Sequence, residues 1–233
     1  MKIKRLLALL TFLTTAASAD LVIEQKLEGV SQSGALTTLK MKGGKLRLDM
    51  QSPGGPVSSI MDLDTGDSVT LIHGQKTALK MSAAQTRETV ETMRKKTGAA
   101  ADVPPAKPEA TGRHEKVGEF NAEVFTWKSA IGVQTLWVTK DLPNYARVKG
   151  QLDRLGKSPA MNTQKGVTPD TSSLPGVVVK TGMDAPGRKF TSTVLSIKEE
   201  ELDAATFEVP ADYKETARPD PPAPAAPAPP AVK

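Results

Sequence analysis

The two histidines of this 233-residue chain, His73 and His114, are its best candidates for acid–base chemistry. A Ser-His-Asp hydrolase would need one of them beside a serine on a sharp turn, and the sequence has no G-x-S-x-G pattern. A zinc site would need more ligands, but the chain has no cysteine and no His-x-x-x-His spacing. We therefore predict two exposed or edge histidines and no enzyme. A cleft that joined either histidine to a carboxylate and a serine would reverse this prediction.

Two acidic runs could bind a cation or act as paired carboxylates. Residues 62–67 begin like a calcium-binding loop, which needs an oxygen ligand at its fifth position, glycine at its sixth and glutamate at its twelfth. Those positions hold Gly66, Asp67 and His73 here, so we predict a hairpin turn. The three glutamates at 199–201 follow a strand, where neighbouring side chains point to opposite faces, and we predict that they are solvated. No metal ion or other cofactor is expected.

The remaining candidate is an apolar binding surface. A curved antiparallel sheet can leave a cavity on its concave side that holds an apolar ligand. Phe125 and Trp127 share one face of their predicted strand, and Trp137 is predicted to face them across a hairpin. Together with apolar residues of the first half, they make up the predicted ligand-binding set: Leu48, Ile60, Leu71, Leu79, Phe125, Trp127 and Trp137. The alternative is that these side chains only fill a packed core.

The elements that position these residues are mainly strands. Apolar and polar residues alternate between residues 21 and 81, most clearly in 45–50, where three apolar residues alternate with three charged ones. Tight turns at 43–44 and 64–67 predict a meander of about six strands. A surface helix is predicted for residues 82–96, because Ser82 and Gln85 have capping-box spacing.

The second half is predicted to return to strands. Its predicted elements are strands at 120–128, 131–139, 175–183 and 188–197, a short helix at 144–155, a linker near 99–111 and a loop near 158–173. The fold class is therefore mainly β with a few helices, built on a curved antiparallel sheet. Residues 20–215 are predicted to form a single domain.

The first nineteen residues have the form of a signal peptide. Three basic residues precede a short apolar run, and small residues at 17 and 19 predict cleavage after Ala19. Because the leader holds three basic and no acidic residues, cleavage lowers the formal net charge from +5 to +2 and removes the support for nucleic-acid binding. The run is too short to span a bilayer, and no cysteine follows it for lipid attachment. We predict an exported, periplasmic protein with no membrane span.

The last eighteen residues, 216–233, are rich in proline and alanine. This composition predicts a disordered, extended tail, because it cannot build a packed core. At about 3.1 Å per residue, fifteen residues of such a tail would reach about 45 Å. The tail could therefore contact an envelope protein or the cell wall, or it could only aid solubility.

Several short segments resemble those of a known family. They are KLRLDM at 45–50, SIMD at 59–62, FNAEVF at 120–125, LWVT at 136–139 and FEVPADY at 207–213. In this order they resemble an uncharacterised family of exported bacterial domains of unknown function. That family is similar in fold to the periplasmic carriers of lipoproteins (LolA-like). The resemblance implies an incomplete β-barrel, or half-barrel, whose open side is covered by helices, and it implies no catalytic residues.

Two hypotheses about function follow. In the first, the protein is a binding module that holds an apolar ligand, a lipid or a lipidated partner protein on the concave face of the sheet. In the second, the sheet is a scaffold of the cell envelope, and its surface and the Pro/Ala tail bind a partner. The volume and lining of the concave side would distinguish the two.

Overall fold

A computed structural model describes residues 20–29, 34–52, 54–97, 107–129, 132–162, 168–185 and 188–217. The predicted signal peptide, most of the predicted linker, the middle of the predicted loop and nearly all of the tail lie outside these residues. Twelve strands are present within them. They are β1 (Asp20–Glu28), β2 (Ala35–Lys42), β3 (Lys45–Ser52), β4 (Gly55–Asp62), β5 (Ser68–Ile72), β6 (Thr77–Met81), β7 (Glu109–Val117), β8 (Phe120–Ser129), β9 (Gly132–Thr139), β10 (Val177–Ala185), β11 (Arg188–Glu200) and β12 (Lys214–Ala217).

All twelve strands join one open sheet in the order β12-β6-β5-β4-β3-β2-β1-β11-β10-β9-β8-β7. The first six strands form the predicted meander, and the pairing of β1 with β11 joins it to the second half. Every neighbouring pair is antiparallel except β12, which runs parallel to β6 at one edge. The prediction of a mainly β fold with a curved, non-closed antiparallel sheet is confirmed.

Three α-helices accompany the sheet in the described residues: α1 (Ala83–Thr97), α2 (Tyr145–Lys157) and α3 (Pro159–Asn162). Helix α1 begins at the predicted capping box, where the backbone N–H of Gln85 donates to Ser82 Oγ and that of Ser82 donates to Gln85 Oε1 (3.2 and 3.0 Å). Two differences from the sequence prediction concern irregular segments. The end of the predicted linker belongs to β7, because β8 offers it a free edge. The predicted loop contains α3 and a 3-10 turn capped by Asp170.

Helix α2 lies against one face of the sheet, which we call the inner face; the opposite one is the outer face. Val148, 2% exposed, packs from α2 into the largest apolar cluster, which joins β1, β2, β8 and β10. On the outer face, Ile60, Leu71 and Ala78 pack under the segment 202–213, which contributes Leu202 and Phe207. Each face of the sheet is therefore covered in part, the inner face by α2 and the outer face by the C-terminal segment.

Candidate functional site

The predicted residues of the first half do not lie together. Leu48 and Leu79 share the inner face and are partly buried there. They belong to one row of paired residues across the sheet, which runs from Leu48 through Ser59 and Thr70 to Leu79. Ile60 and Leu71 belong to the outer cluster and are 7% and 0% exposed. The prediction that these four residues share one binding surface is therefore wrong. Ser59 lies on the inner face beside Leu48, and Ile60 points to the outer face because successive side chains of a strand point to opposite faces.

The three aromatic residues are also divided between the faces. Phe125 pairs with Leu136, and Trp127 pairs with Gln134, which places both aromatic rings on one face of β8, where Phe125 packs in a separate apolar cluster with Leu136, Val138 and Leu174. Trp137 pairs with Val124 and packs against the inner cluster. The prediction that Trp137 faces Phe125 and Trp127 across the hairpin is therefore wrong. The register of β8 and β9 pairs Trp137 with Val124, whose side chain points to the face opposite that of Phe125.

A partly open cavity of about 160 Å³, which we call the inner cavity, lies between the inner face and α2. Its apolar walls come from four strands and from α2 and α3: Ile23, Leu39, Leu152, Leu155, Met161, Val177, Val178, Val194 and Ile197. None of the seven predicted residues lines it. The sequence did contain a pattern that could have identified the residues lining the cavity. Apolar and polar residues alternate in β1, β2 and β11, and apolar residues at 148, 152 and 155 have helical spacing. The sequence did not show that these faces meet.

Helix α2 is held over this cavity by polar contacts at its N-terminal end. Arg147 forms an ion pair with Glu199 of β11, and the Tyr145 hydroxyl donates to the Pro175 carbonyl oxygen (2.8 Å). Lys149 and Asp153, four residues apart on α2, form an ion pair and also line the cavity. The inner cavity is thus lined mainly by apolar residues, and its charged lining residues, Lys149 and Asp153, both belong to α2.

A second group of functional residue types lies on the outer face. The outer polar cluster consists of Arg47, Asp49, Ser58, His73 and Tyr213. The Ser58 hydroxyl lies 2.6 Å from Asp49 Oδ1 and 2.7 Å from His73 Nε2, and His73 Nδ1 lies 2.6 Å from the Tyr213 hydroxyl. Arg47 donates to Asp49 (2.6 Å), to Ser58 (3.0 Å) and to the carbonyl oxygen of Thr206 (2.8 Å). The structure therefore brings a serine, a histidine and a carboxylate together, and His73, which was predicted to be an exposed or edge histidine, is half-buried with both ring nitrogens in hydrogen bonds.

The direction of the hydrogen bonds differs from that of a hydrolytic triad. An ionised carboxylate only accepts, so Ser58 donates its proton to Asp49 and accepts from His73 Nε2. His73 Nδ1 then accepts from Tyr213. A triad needs the opposite order, with histidine accepting the serine proton and the carboxylate orienting histidine. Ser58 is also only 1% exposed, so the cluster joins the C-terminal segment to the sheet and presents no nucleophile to a cleft.

The charge on Asp49 is stabilised in place. Burial acts to raise the pKa of the Asp49 carboxyl, but hydrogen bonds from Ser58, Lys40 and Arg47 outweigh burial and lower this pKa below its usual range. Lys40 Nζ donates to the second carboxylate oxygen at 2.9 Å. Asp49 is therefore the anionic centre of the outer polar cluster, and three donors surround it.

The acidic run at 62–67 is a turn between β4 and β5. Asp62 Oδ1 accepts the backbone N–H groups of Thr65 (2.9 Å) and Asp64 (3.0 Å), and these bonds lower the pKa of the Asp62 carboxyl. Within the described parts of the chain, no group of three His, Asp or Glu side chains could hold a metal ion. No described helix is long and apolar enough to cross a membrane.

The fold thus defines a class of proteins with an open, curved β-sheet and a helix inside it. The chain belongs to the family described as Domain of unknown function (DUF4412), which matches residues 24–213. The expected membership of an uncharacterised domain family is confirmed. The sequence matches no curated protein.

Solved structures show similar folds at low sequence identity. An uncharacterized conserved protein from Thermus thermophilus has a TM-score of 0.53 and 10% identity, over 86% of this chain and 91% of that protein. PNGF-II has a TM-score of 0.44 and 12% identity, and this chain spans 32% of it. A LolA superfamily protein from Nitrosomonas europaea has a TM-score of 0.30 and 10% identity, over 82% of this chain and 89% of that one. The first likeness shows the fold alone, and the other two are too distant to support an argument.

Proposed function

We propose that this protein is an exported, non-enzymatic binding protein of the periplasm that holds an apolar ligand between α2 and the inner face of the sheet. The observation that supports this proposal is the inner cavity of about 160 Å³ with its walls of Ile23, Leu39, Leu152 and Val194. The signal-peptide pattern of residues 1–19 supports export and cleavage after Ala19. A lipid or the acyl chain of a lipidated protein has the required chemistry.

The size of the inner cavity favours a slender ligand. Sites for drug-sized molecules usually have about 300–1,000 Å³, so a cavity of about 160 Å³ suits part of an unbranched chain. Each buried CH₂ group contributes about 0.8 kcal/mol, so six of them would contribute about 5 kcal/mol before the entropy of binding is subtracted. Because association itself costs at least about 4 kcal/mol, burial of this stretch alone would give only weak, reversible binding.

The proposal is tested with a pair of neighbouring substitutions. Val194 lines the inner cavity, whereas Leu195 lies beside it on a bulge of β11 and is 53% exposed. Val194→Phe fills the cavity and should weaken binding of a fluorescent dodecanoic acid at least tenfold. Leu195→Phe makes a similar change outside the cavity and should leave binding unchanged.

Two further measurements keep this test decisive. Thermal melting shows whether Val194→Phe is folded, and the smaller change Val194→Ile should give a weaker effect in the same direction. Native mass spectrometry of the protein with added dodecanoic acid should show a one-to-one complex. Equal probe binding by the wild type and a folded Val194→Phe variant would contradict the proposal.

A second candidate function, an envelope scaffold, is favoured by the place from which the tail departs. Residues 202–213 are fixed to the outer face, and β12 adds to the edge of β6 just before the Pro/Ala-rich residues. A tail that starts from a rigid edge strand can present a partner-binding segment at a defined position. Deletion of residues 219–233 should abolish partner capture under this hypothesis and should leave binding of the apolar probe intact.

A further inference from the structure

A second cavity lies at the C-terminal end of α2, and we call it the polar cavity. Its volume is about 370 Å³, which falls in the range of small-molecule sites. Its lining includes the β2–β3 turn at Gly43 and Gly44, the β4–β5 turn at Asp64, and the last turn of α2. It is thus more than twice as large as the inner cavity and differs from it in chemistry.

Three cations and two carboxylates line the polar cavity. Lys42 is already paired with Asp20 at 2.7 Å, and Asp20 also accepts the backbone N–H of Leu202 at 2.9 Å. Arg154 and Lys157 are exposed, and neither side chain forms a hydrogen bond or an ion pair with any residue in the described ranges. Their position in the last turn of α2 complements the helix dipole, but it leaves their hydrogen-bond donors unused. The cavity therefore offers two cationic donors to an anion.

The floor of the polar cavity is apolar. Met41 and Leu63, each 6% exposed, line it and belong to the inner apolar cluster. Met41 lies two residues from Leu39, which lines the inner cavity, and both side chains are on the same face of β2. Two residues of a strand span about 7 Å. Helix α2 contributes walls to both cavities, so a cationic site and an apolar site lie side by side along it.

We propose that the polar cavity binds the acid headgroup, a phosphate or a carboxylate, of an anionic amphiphile. Arg154 and Lys157 donate to the headgroup oxygens, and Met41 and Leu63 contact the first carbons of the chain. Asp64 lies in the β4–β5 turn on the other side of the cavity, and its carboxylate has no partner among the described residues. Its negative charge repels the anion and limits the affinity of the site. This inference rests on the proposed function, because the inner cavity takes the apolar part of the same ligand.

The test compares ligands that share one chain and differ in headgroup. The full chain is freed of bound lipid, and the binding of decyl phosphate, decanol and inorganic phosphate is measured by calorimetry. Wild-type protein should bind decyl phosphate at least ten times more tightly than decanol. Arg154→Gln combined with Lys157→Gln should abolish this preference without weakening decanol binding, and Asp64→Asn should strengthen decyl phosphate binding severalfold.

A matched control removes the same charges elsewhere. Arg113→Gln combined with Lys116→Gln changes two exposed residues of the edge strand β7, and the headgroup preference should remain. The inference is overturned if wild-type protein binds decanol and decyl phosphate equally, or if inorganic phosphate binds as tightly as decyl phosphate. The proposed function fails instead if neither decanol nor decyl phosphate binds, so the two failures are distinguishable.

Discussion

The hydroxyl of Tyr213 lies 2.6 Å from Nδ1 of His73, although 140 residues separate the two in the chain. Their rings meet edge to face with centroids 5.9 Å apart. Tyr213 stands directly before β12, and His73 follows β5, so this contact fixes the C-terminal segment to the outer face. The outer polar cluster thus has a structural role that can be tested separately from ligand binding.

Tyr213→Phe should destabilise the protein by about 1 kcal/mol, because it removes one hydrogen bond and leaves a ring nitrogen of His73 without its donor. The C-terminal segment should also be cut faster in limited proteolysis. Tyr145→Phe is the matched control, since Tyr145 donates to Pro175 on the other side of the sheet. An unchanged cleavage rate of residues 202–217 in Tyr213→Phe would contradict the assigned role.

Asp49→Asn should destabilise the protein by about 1–3 kcal/mol at pH 7, because the amide N–H₂ would face donors from Lys40, Arg47 or Ser58. The pKa of the Asp49 carboxyl is lowered in the folded state, so its contribution is present above the unfolded value of about 3.9 and is lost as the pH falls through the folded value. The difference between wild type and variant should therefore shrink below about pH 4.

Urea unfolding between pH 2 and pH 7 measures this effect. Asp184→Asn is the control, since Asp184 pairs with Lys189 on the exposed surface at 3.1 Å and should contribute little at any pH. A stability difference that stayed constant down to pH 2 would show that the Asp49 charge is unimportant.

Gly176→Ala and Gly150→Ala should have opposite effects on stability. A Cβ atom at Gly176 would lie 2.5 Å from the Thr139 carbonyl oxygen and 2.8 Å from Val138 Cγ1, so the start of β10 would have to shift, at a cost of about 1–3 kcal/mol. A Cβ atom at Gly150 meets nothing within 4 Å, and alanine in a helix is better than glycine by about 1 kcal/mol. Thermal melts should move down for the first and up for the second.

The two tryptophans should differ in their response to a fluorescence quencher. Trp127 is 1% exposed, whereas Trp137 is only partly buried, with Lys180 Nζ 4.5 Å from its ring and with its indole N–H donating to Glu115 at 2.8 Å. Acrylamide should quench Trp137 far more than Trp127. Trp137→Phe should therefore leave a spectrum that acrylamide barely affects, and strong quenching of that variant would show that Trp127 is accessible.

Much of the fold could be predicted because it depends on local patterns. The alternation in 45–50 and the glycines at 43–44 predict β3 and its hairpin, and the pair Ser82 and Gln85 predicts the start of α1. Strands such as β7 were not predicted, since its nine residues are almost all exposed and show no apolar alternation. Such a strand exists because β8 offers backbone partners, which composition does not reveal.

The candidate site was predicted less well than the fold. Ile60 and Leu48 lie on neighbouring strands, and both are apolar, but the register of β3 and β4 places them on opposite faces. A one-residue change of register moves every side chain of a strand to the other face. The sequence therefore indicated that apolar and polar residues alternate along each strand. It did not indicate which face of each strand packs against α2.

The sequence by itself determined the strand-rich class of this protein, its tight turns, its helix caps and its likeness to a family of domains of unknown function, because each depends on residues close together in the chain. Only the tertiary structure decided that Ser58 lies between Asp49 and His73 and that Tyr213 completes this series of hydrogen bonds. It also decided that Leu39 and Met41 line two different cavities. These relations join residues far apart in sequence. They depend on the pairing of β1 with β11, the curvature of the sheet and the position of α2, and no local pattern encodes these features.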